Sequence, residues 1–246
     1  MQEIVGVMKK VAEHEARRIL TTELGIVTAV FPHAEDGDKD NYQCSVKLKN
    51  KKLPDGKDFE LRKVPIATPY MGLACIPNVG DLVLVNFIGG DVNAPVITGR
   101  LYNDEDRPPL NKQDEFLLQH TIKDGGSVRL DADGKIIVTS KNQKNVFTVE
   151  DDKVSVVNEK FSLVIDVSGE KITISSDKDL GLTAKNGKCL IEGNEVEIKS
   201  TKDTKITSGA ALNLKSTAAT KVESGAGMNV EATAAMKLKG ATIDLN

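Results

Sequence analysis

The chain has 246 residues, with 33 Lys and Arg against 36 Asp and Glu, a formal net charge of −3. That balance argues against a basic nucleic-acid binder, and an aromatic content of 4% with no Trp argues against a base-stacking platform or an aromatic-lined ligand pocket. Three widely separated cysteines, Cys44, Cys75 and Cys189, fit no zinc spacing and make no full disulfide set, which predicts free thiols and a reducing compartment of folding. No apolar run is long enough to span a membrane, and the charged N-terminal segment lacks a signal-peptide core. Synthesis in a cytoplasm without a signal peptide is expected.

The first element is an amphipathic helix over residues 2–22. Ile4, Val7, Met8 and Val11, with Ile19 less regularly, recur at helical spacing between charged residues. From Leu24 the periodicity changes to two. Strands are predicted at 24–31, 42–49, 59–68, 79–88 and 94–102, separated by a polar loop at 32–41, a Pro54-Asp55-Gly56 turn and a break at Pro77. Five or six short strands and no second helix predict a small closed barrel of the OB type over residues 24–103. The charged stretch 104–114, with Pro108-Pro109, reads as a linker.

Beyond it the chain repeats. Ile174, Leu182, Leu190, Ile198, Ile206, Leu214, Val222, Val230 and Leu238 stand eight residues apart. Two residues after each stands a small one, with Glu192 the exception; two residues before stands a less strict position that includes Lys188. The final pair, Ile243 and Leu245, is out of step by one. Looser versions of the pattern run upstream, as in Val128/Leu130, Ile136/Val138, Val146/Thr148, Val154/Val156 and Leu163/Ile165/Val167. Eight is no helical period, so each octad reads as a short strand and a tight corner. One inward aliphatic residue per octad cannot enclose a core alone. The pattern therefore predicts a triangular prism wound from three chains over residues 115–246, with those nine aliphatics as its interior. At ~4.8 Å per rung the nine octads would make a shaft of roughly 45 Å.

The stretch VPIATPYMGLACIPNVGDLVLVNFIGGDVNAPVITGRLYN (64–103) and the Pro-Pro after it resemble the OB-domain signature of contractile-injection spike proteins. These are phage baseplate assembly protein V, the central spikes of contractile phages and tailocins, and the VgrG spikes. The resemblance implies an all-β chain with an N-terminal helix, an OB barrel and a trimeric intertwined β-helical needle. It implies a structural role: a homotrimeric central spike, driven through a target cell envelope when a sheath contracts. The apolar face of Ile4, Val7, Met8 and Val11 has no obvious partner within the chain and reads as the docking surface for a separate hub protein, and the out-of-step Ile243 and Leu245 read as the seat of a small PAAR-type tip protein. Assembly would be into a virion or an extracellular injection particle. The linker is too short for the lysozyme domain that some members insert, and the His-x-His pair that binds iron at some tips has no counterpart here, the only histidines being His14, His33 and His120.

No enzyme, cofactor, metal site or nucleic-acid partner is expected. The three histidines read as surface residues, the Asp-rich loop 35–40 lacks the downstream Glu of a calcium loop, and Gly89-Gly90-Asp91 lacks the helix and Lys-Ser/Thr of a phosphate cradle. The competing reading is a trimeric tail-fibre-like adhesin, disfavoured because no non-repeating head follows the octads.

Overall fold

The computed structural model describes residues 4–11 and 21–244, which divide into two units, one through Gly181 and one from Leu182 onward. Residues 4–11 are helical and all exposed. The predicted helix does not reach residue 22, because Thr22 already opens the first strand; Ile19 lies outside the described residues.

Five strands follow: β1 (Thr22–Phe31), β2 (Gln43–Lys52), β3 (Asp58–Pro65), β4 (Leu82–Phe87) and β5 (Pro95–Leu101). They lie in the order β3-β2-β1-β4-β5, every neighbouring pair antiparallel. The two sheet edges are joined by a parallel bridge between Ile66 and Ile97, and the amide of Ala67 donates to the carbonyl of Ile97 at 2.8 Å. The sheet is thereby closed on itself, which removes its exposed edges. Alternation along each strand sends Val27, Cys44, Val46, Leu48, Val64, Val83, Val85, Phe87 and Ile97 into one buried cluster. The β2–β3 turn closes where Pro54-Asp55-Gly56 places it, with Leu53 and Lys57 bonded across it at 2.8 Å.

The segment 103–115 is folded back rather than loose. The Asn103 side chain accepts from the amides of Glu105 and Asp106 at 2.8 Å each, and Glu115 accepts from the amide of Lys112 at 3.0 Å and pairs with Arg129 at 3.6 Å.

Seven further strands form a second sheet: β6 (Phe116–Gln119), β7 (Ser127–Leu130), β8 (Ile136–Thr139), β9 (Val146–Val149), β10 (Lys153–Asn158), β11 (Phe161–Asp166) and β12 (Lys171–Ser176). They run in sequence order as an antiparallel meander. The looser upstream pattern is therefore not a first set of octad rungs: it is a run of hairpins within one chain, and the uneven spacing comes from turns of different length. In β9 the shared face carries Phe147 and Val149, not Val146 and Thr148, and Val167 lies in a turn.

In the second unit, residues 182–244, no strand pairing and no backbone–backbone hydrogen bond occurs among the described residues. The chain runs in extended six-residue segments, 195–200, 203–208, 211–216, 219–224, 227–232 and 235–240, separated by two-residue bends at 201–202, 209–210, 217–218, 225–226 and 233–234. The corners are built by serine. The Oγ atoms of Ser200, Ser208, Ser216 and Ser224 donate to the carbonyls three residues on, at 3.2, 3.0, 3.1 and 2.8 Å. Each also accepts from the amide two residues on, at 3.3 to 3.5 Å. At these four corners the small residue of the repeat is thus a clamp that satisfies backbone groups locally, whereas Ala184, Ala232 and Gly240 at the same position carry no hydroxyl.

Candidate assembly surfaces

Register through the seven-stranded sheet brings two rows of apolar side chains onto one face. Leu118, Val128, Val138, Phe147, Val156, Leu163 and Ile174 stand opposite one another in turn from β6 to β12. Phe116, Leu130, Ile136, Val149, Val154, Ile165 and Ile172 make a parallel row on the same face. This face is the open one: Phe116 and Leu118 are 60% and 61% exposed, and β12 is exposed throughout. A sheet with one apolar face normally buries it against a second layer. Here two apolar rows lie uncovered, exposed at Phe116, Leu118, Leu130, Ile136, Val138, Phe147, Leu163, Ile165, Ile172 and Ile174 and half-exposed at Val128, Val149, Val154 and Val156. In the sequence these residues read as irregular octads; the alternation within each hairpin is the signal that reveals the shared face.

The two rows end on Ile172 and Ile174, which are also the first pair of the octad series. The later members Leu182, Leu190, Ile198, Ile206, Leu214, Val222, Val230 and Leu238 are all exposed, Leu214 to 80%. Leu190 departs from its neighbours, because the bends around it are not of two residues: the chain bends at 185–187 and again at 194 alone. The charged face is paired along the chain, with Lys199 to Glu197 at 2.7 Å and Lys221 to Glu223 at 2.6 Å.

On the N-terminal helix, Ile4, Val7, Met8 and Val11 are exposed, as is Val5 between them, so the apolar surface is wider than one stripe. At the other end Ile243 is exposed, and Leu245 lies outside the described residues.

The titratable groups organise loops. The Asp38 carboxylate accepts from His33 Nδ1 at 2.8 Å and from the amides of Ala34, Glu35 and Asp40 at 2.6, 3.2 and 3.1 Å. The His33 bond, then the Ala34 amide, lowers its pKa to about 2. The Asp-rich loop is therefore wrapped around one of its own carboxylates. Burial in the barrel raises the Cys44 thiol. The guanidinium of Arg100 lies against the carbonyl and Sγ of Cys75, the latter at 3.1 Å, and reaches Asp81 at 3.5 Å. These contacts hold the 75–81 segment to β5. Among the described residues no three His, Cys, Asp or Glu side chains converge to hold a metal ion, and no helix is long and apolar enough to cross a membrane. His14 lies outside the described residues.

Residues 33–102 match the type VI secretion system/phage-baseplate injector OB domain. Over 52 residues the chain is 40% identical to two type VI secretion system spike proteins of Pseudomonas aeruginosa, VgrG2a and VgrG2b. That stretch is 21% of this chain but only 6% and 5% of those relatives. The chain therefore carries an injector OB domain and over that stretch is similar to VgrG and baseplate spike proteins; apart from a short helix at 4–11 and a single 3-10 turn at 88–90, the regular structure of the described residues is β. The matched range begins after β1, yet β1 is the central strand of the barrel, paired with both β2 and β4.

Proposed function

We propose that this chain is the homotrimeric central spike of a contractile injection machine, seated on a baseplate and driven through a target envelope when a sheath contracts. The observation that supports it is the bare apolar face of the seven-stranded sheet, whose two rows end on the residues that begin the octad series. Three such sheets packed face to face bury one another, and three octad segments supply the strand partners that one lacks. At about 1.5–3 kcal/mol for each fully buried aliphatic side chain, closure of these surfaces is strongly favoured. A shaft whose strand hydrogen bonds are all closed between chains resists axial load, which is a mechanical role and needs no active site. The exposed helix face, Ile4 to Val11, docks a separate hub protein, and a small PAAR-type tip protein covers the end that holds Ile243 and Leu245. The injector OB domain supports the baseplate setting.

Sedimentation equilibrium tests the reading. A mass three times the 26.5 kDa of one chain is the expected result. A folded monomer at micromolar concentration would sink it.

A further inference from the structure

The rung at residues 188–193 breaks the octad rule in the sequence and the rule is restored by the bends. In every regular segment the second, fourth and sixth residues carry the repeat: 204, 206 and 208, then 212, 214 and 216, and so on. Alternation puts these three on one face. The segment before the anomaly, 179–184, obeys the rule with Leu180, Leu182 and Ala184. The bend that follows has three residues, 185–187, and the next has one, Asn194. The extended stretch between them is 188–193, and its second, fourth and sixth residues are Cys189, Ile191 and Gly193. Strict counting by eight instead selects Lys188, Leu190 and Glu192.

We infer that this rung is inverted relative to the octad count, with Cys189, Ile191 and Gly193 facing the two other copies of the chain and Lys188, Leu190 and Glu192 facing solvent. The inference rests on the trimeric reading and sharpens it. The one-residue shift removes both exceptions at once: no charged residue remains in the inward set, and the corner position becomes small in every segment. The octad count would bring three ammonium and three carboxylate groups into an aliphatic interior, where each ion would be stripped of its hydration.

A second site in the chain shows the same device. Gly193 precedes the one-residue bend at Asn194, and Gly240 precedes a one-residue bend at Ala241. A Cβ on Gly193 would lie 3.2 Å from the carbonyl oxygen of Glu195, and one on Gly240 would lie 3.1 Å from that of Thr242. Gly209, Gly225 and Gly227, at or beside two-residue bends, would meet nothing within 4 Å. The short corner is therefore the tight one, and glycine stands where it is made. After Ala241 the second residue of the new segment is Ile243, and Leu245 follows two places on in the sequence. The slip at Ile243 is thus a shortened corner that returns this residue to the inward phase.

Thiol labelling of the native full-length protein tests the inverted rung. Its mass is measured first, and maleimide adducts are mapped by mass spectrometry against the protein unfolded in guanidinium. Cys75 is exposed and serves as the reactive reference. In a trimer Cys189 is expected to react more than about tenfold slower than in the unfolded chain, because access is withdrawn by assembly. Full reactivity of Cys189 in a protein of trimeric mass would overturn the inverted rung and leave the spike reading standing. A monomeric mass would overturn both. Substitution gives the complementary readout: Ile191→Asp abolishes the trimer and Leu190→Asp leaves it, whereas the reverse order, or equal loss from both, refutes the assignment.

Discussion

The barrel and the octad segment are built from the same strand-forming residues and satisfy their backbones in opposite ways. In the barrel, β1 has partners on both sides, the two edges meet at Ile66 and Ile97, and nine apolar residues form one buried cluster within the chain. Between Leu182 and Asp244 the backbone has no backbone partner among the described residues, and its aliphatic residues are bare. What is local there is the corner, clamped by a serine hydroxyl. The seven-stranded sheet stands between the two conditions: its hydrogen bonds close within the chain, but one apolar face does not. Independence from partners thus falls stepwise along the sequence, from closed barrel to half-covered sheet to open strand.

The largest test of this contrast lies in the segment with no internal partners. Leu214→Asp places three carboxylates in one layer of the proposed trimer, each at a cost of several kcal/mol, and is expected to abolish assembly at micromolar concentration by analytical ultracentrifugation. Lys215→Asp, one residue away on the other face, is expected to leave the mass unchanged.

The barrel is expected to respond differently. Leu48 is 2% exposed in its interior. Leu48→Ala should cost about 2–5 kcal/mol of barrel stability in denaturant melts while the oligomeric mass stays the same. If it dissociates the trimer instead, the two regions are not energetically separate.

A smaller effect is expected at the corners. Ser208→Ala removes the Oγ bond to the Ala211 carbonyl, at 3.0 Å, and should cost about 0.5–1.5 kcal/mol per chain with assembly retained. Calorimetry should show a modestly lowered melting temperature; no change would mean that the clamps do not hold the corners.

The smallest effect is confined to the barrel loop. Asp38 has its pKa lowered from 3.8 to about 2 by its bonds to His33 and the loop amides. A carboxylate whose folded value lies below its unfolded one stabilises the fold in full above about pH 4, and that contribution disappears as pH falls through about 2. NMR titration of the Asp38 side chain should give a midpoint near 2, and Asp38→Asn should remove the loop's acid sensitivity between those limits.

The barrel strands were legible because period-two alternation, Pro and Gly punctuation and a matching turn all agreed, and the five expected strands are present within a few residues. The helix was legible at Ile4–Val11, but its predicted end at residue 22 overlaps β1, which opens at Thr22, two residues before the strand expected from Leu24. The octads were visible through spacing alone, yet spacing could not choose between Leu190 and Ile191, two aliphatics side by side that suit opposite faces. Only the lengths of the bends at 185–187 and 194 distinguish them. The hairpins of 116–176 are hidden for the opposite reason: their alternation is plain, but a strand that returns to its own chain and one that pairs with another look alike in sequence.

The position of β12 bears on how such an object would come together. It is the last strand of the intrachain sheet, and Ile172, Ile174 and Ser176 on it already have the inward spacing of the octads. In the proposed trimer, three chains that meet on their open sheet faces would hold three copies of Asp177 side by side, each at the start of an unpaired segment. The entropy of bringing chains together is then spent once, at the sheets, and every later rung closes as an intramolecular step at high effective concentration. Assembly should therefore depend steeply on protein concentration only in its first phase, with the remaining rungs zipping toward the C-terminus at a rate independent of it.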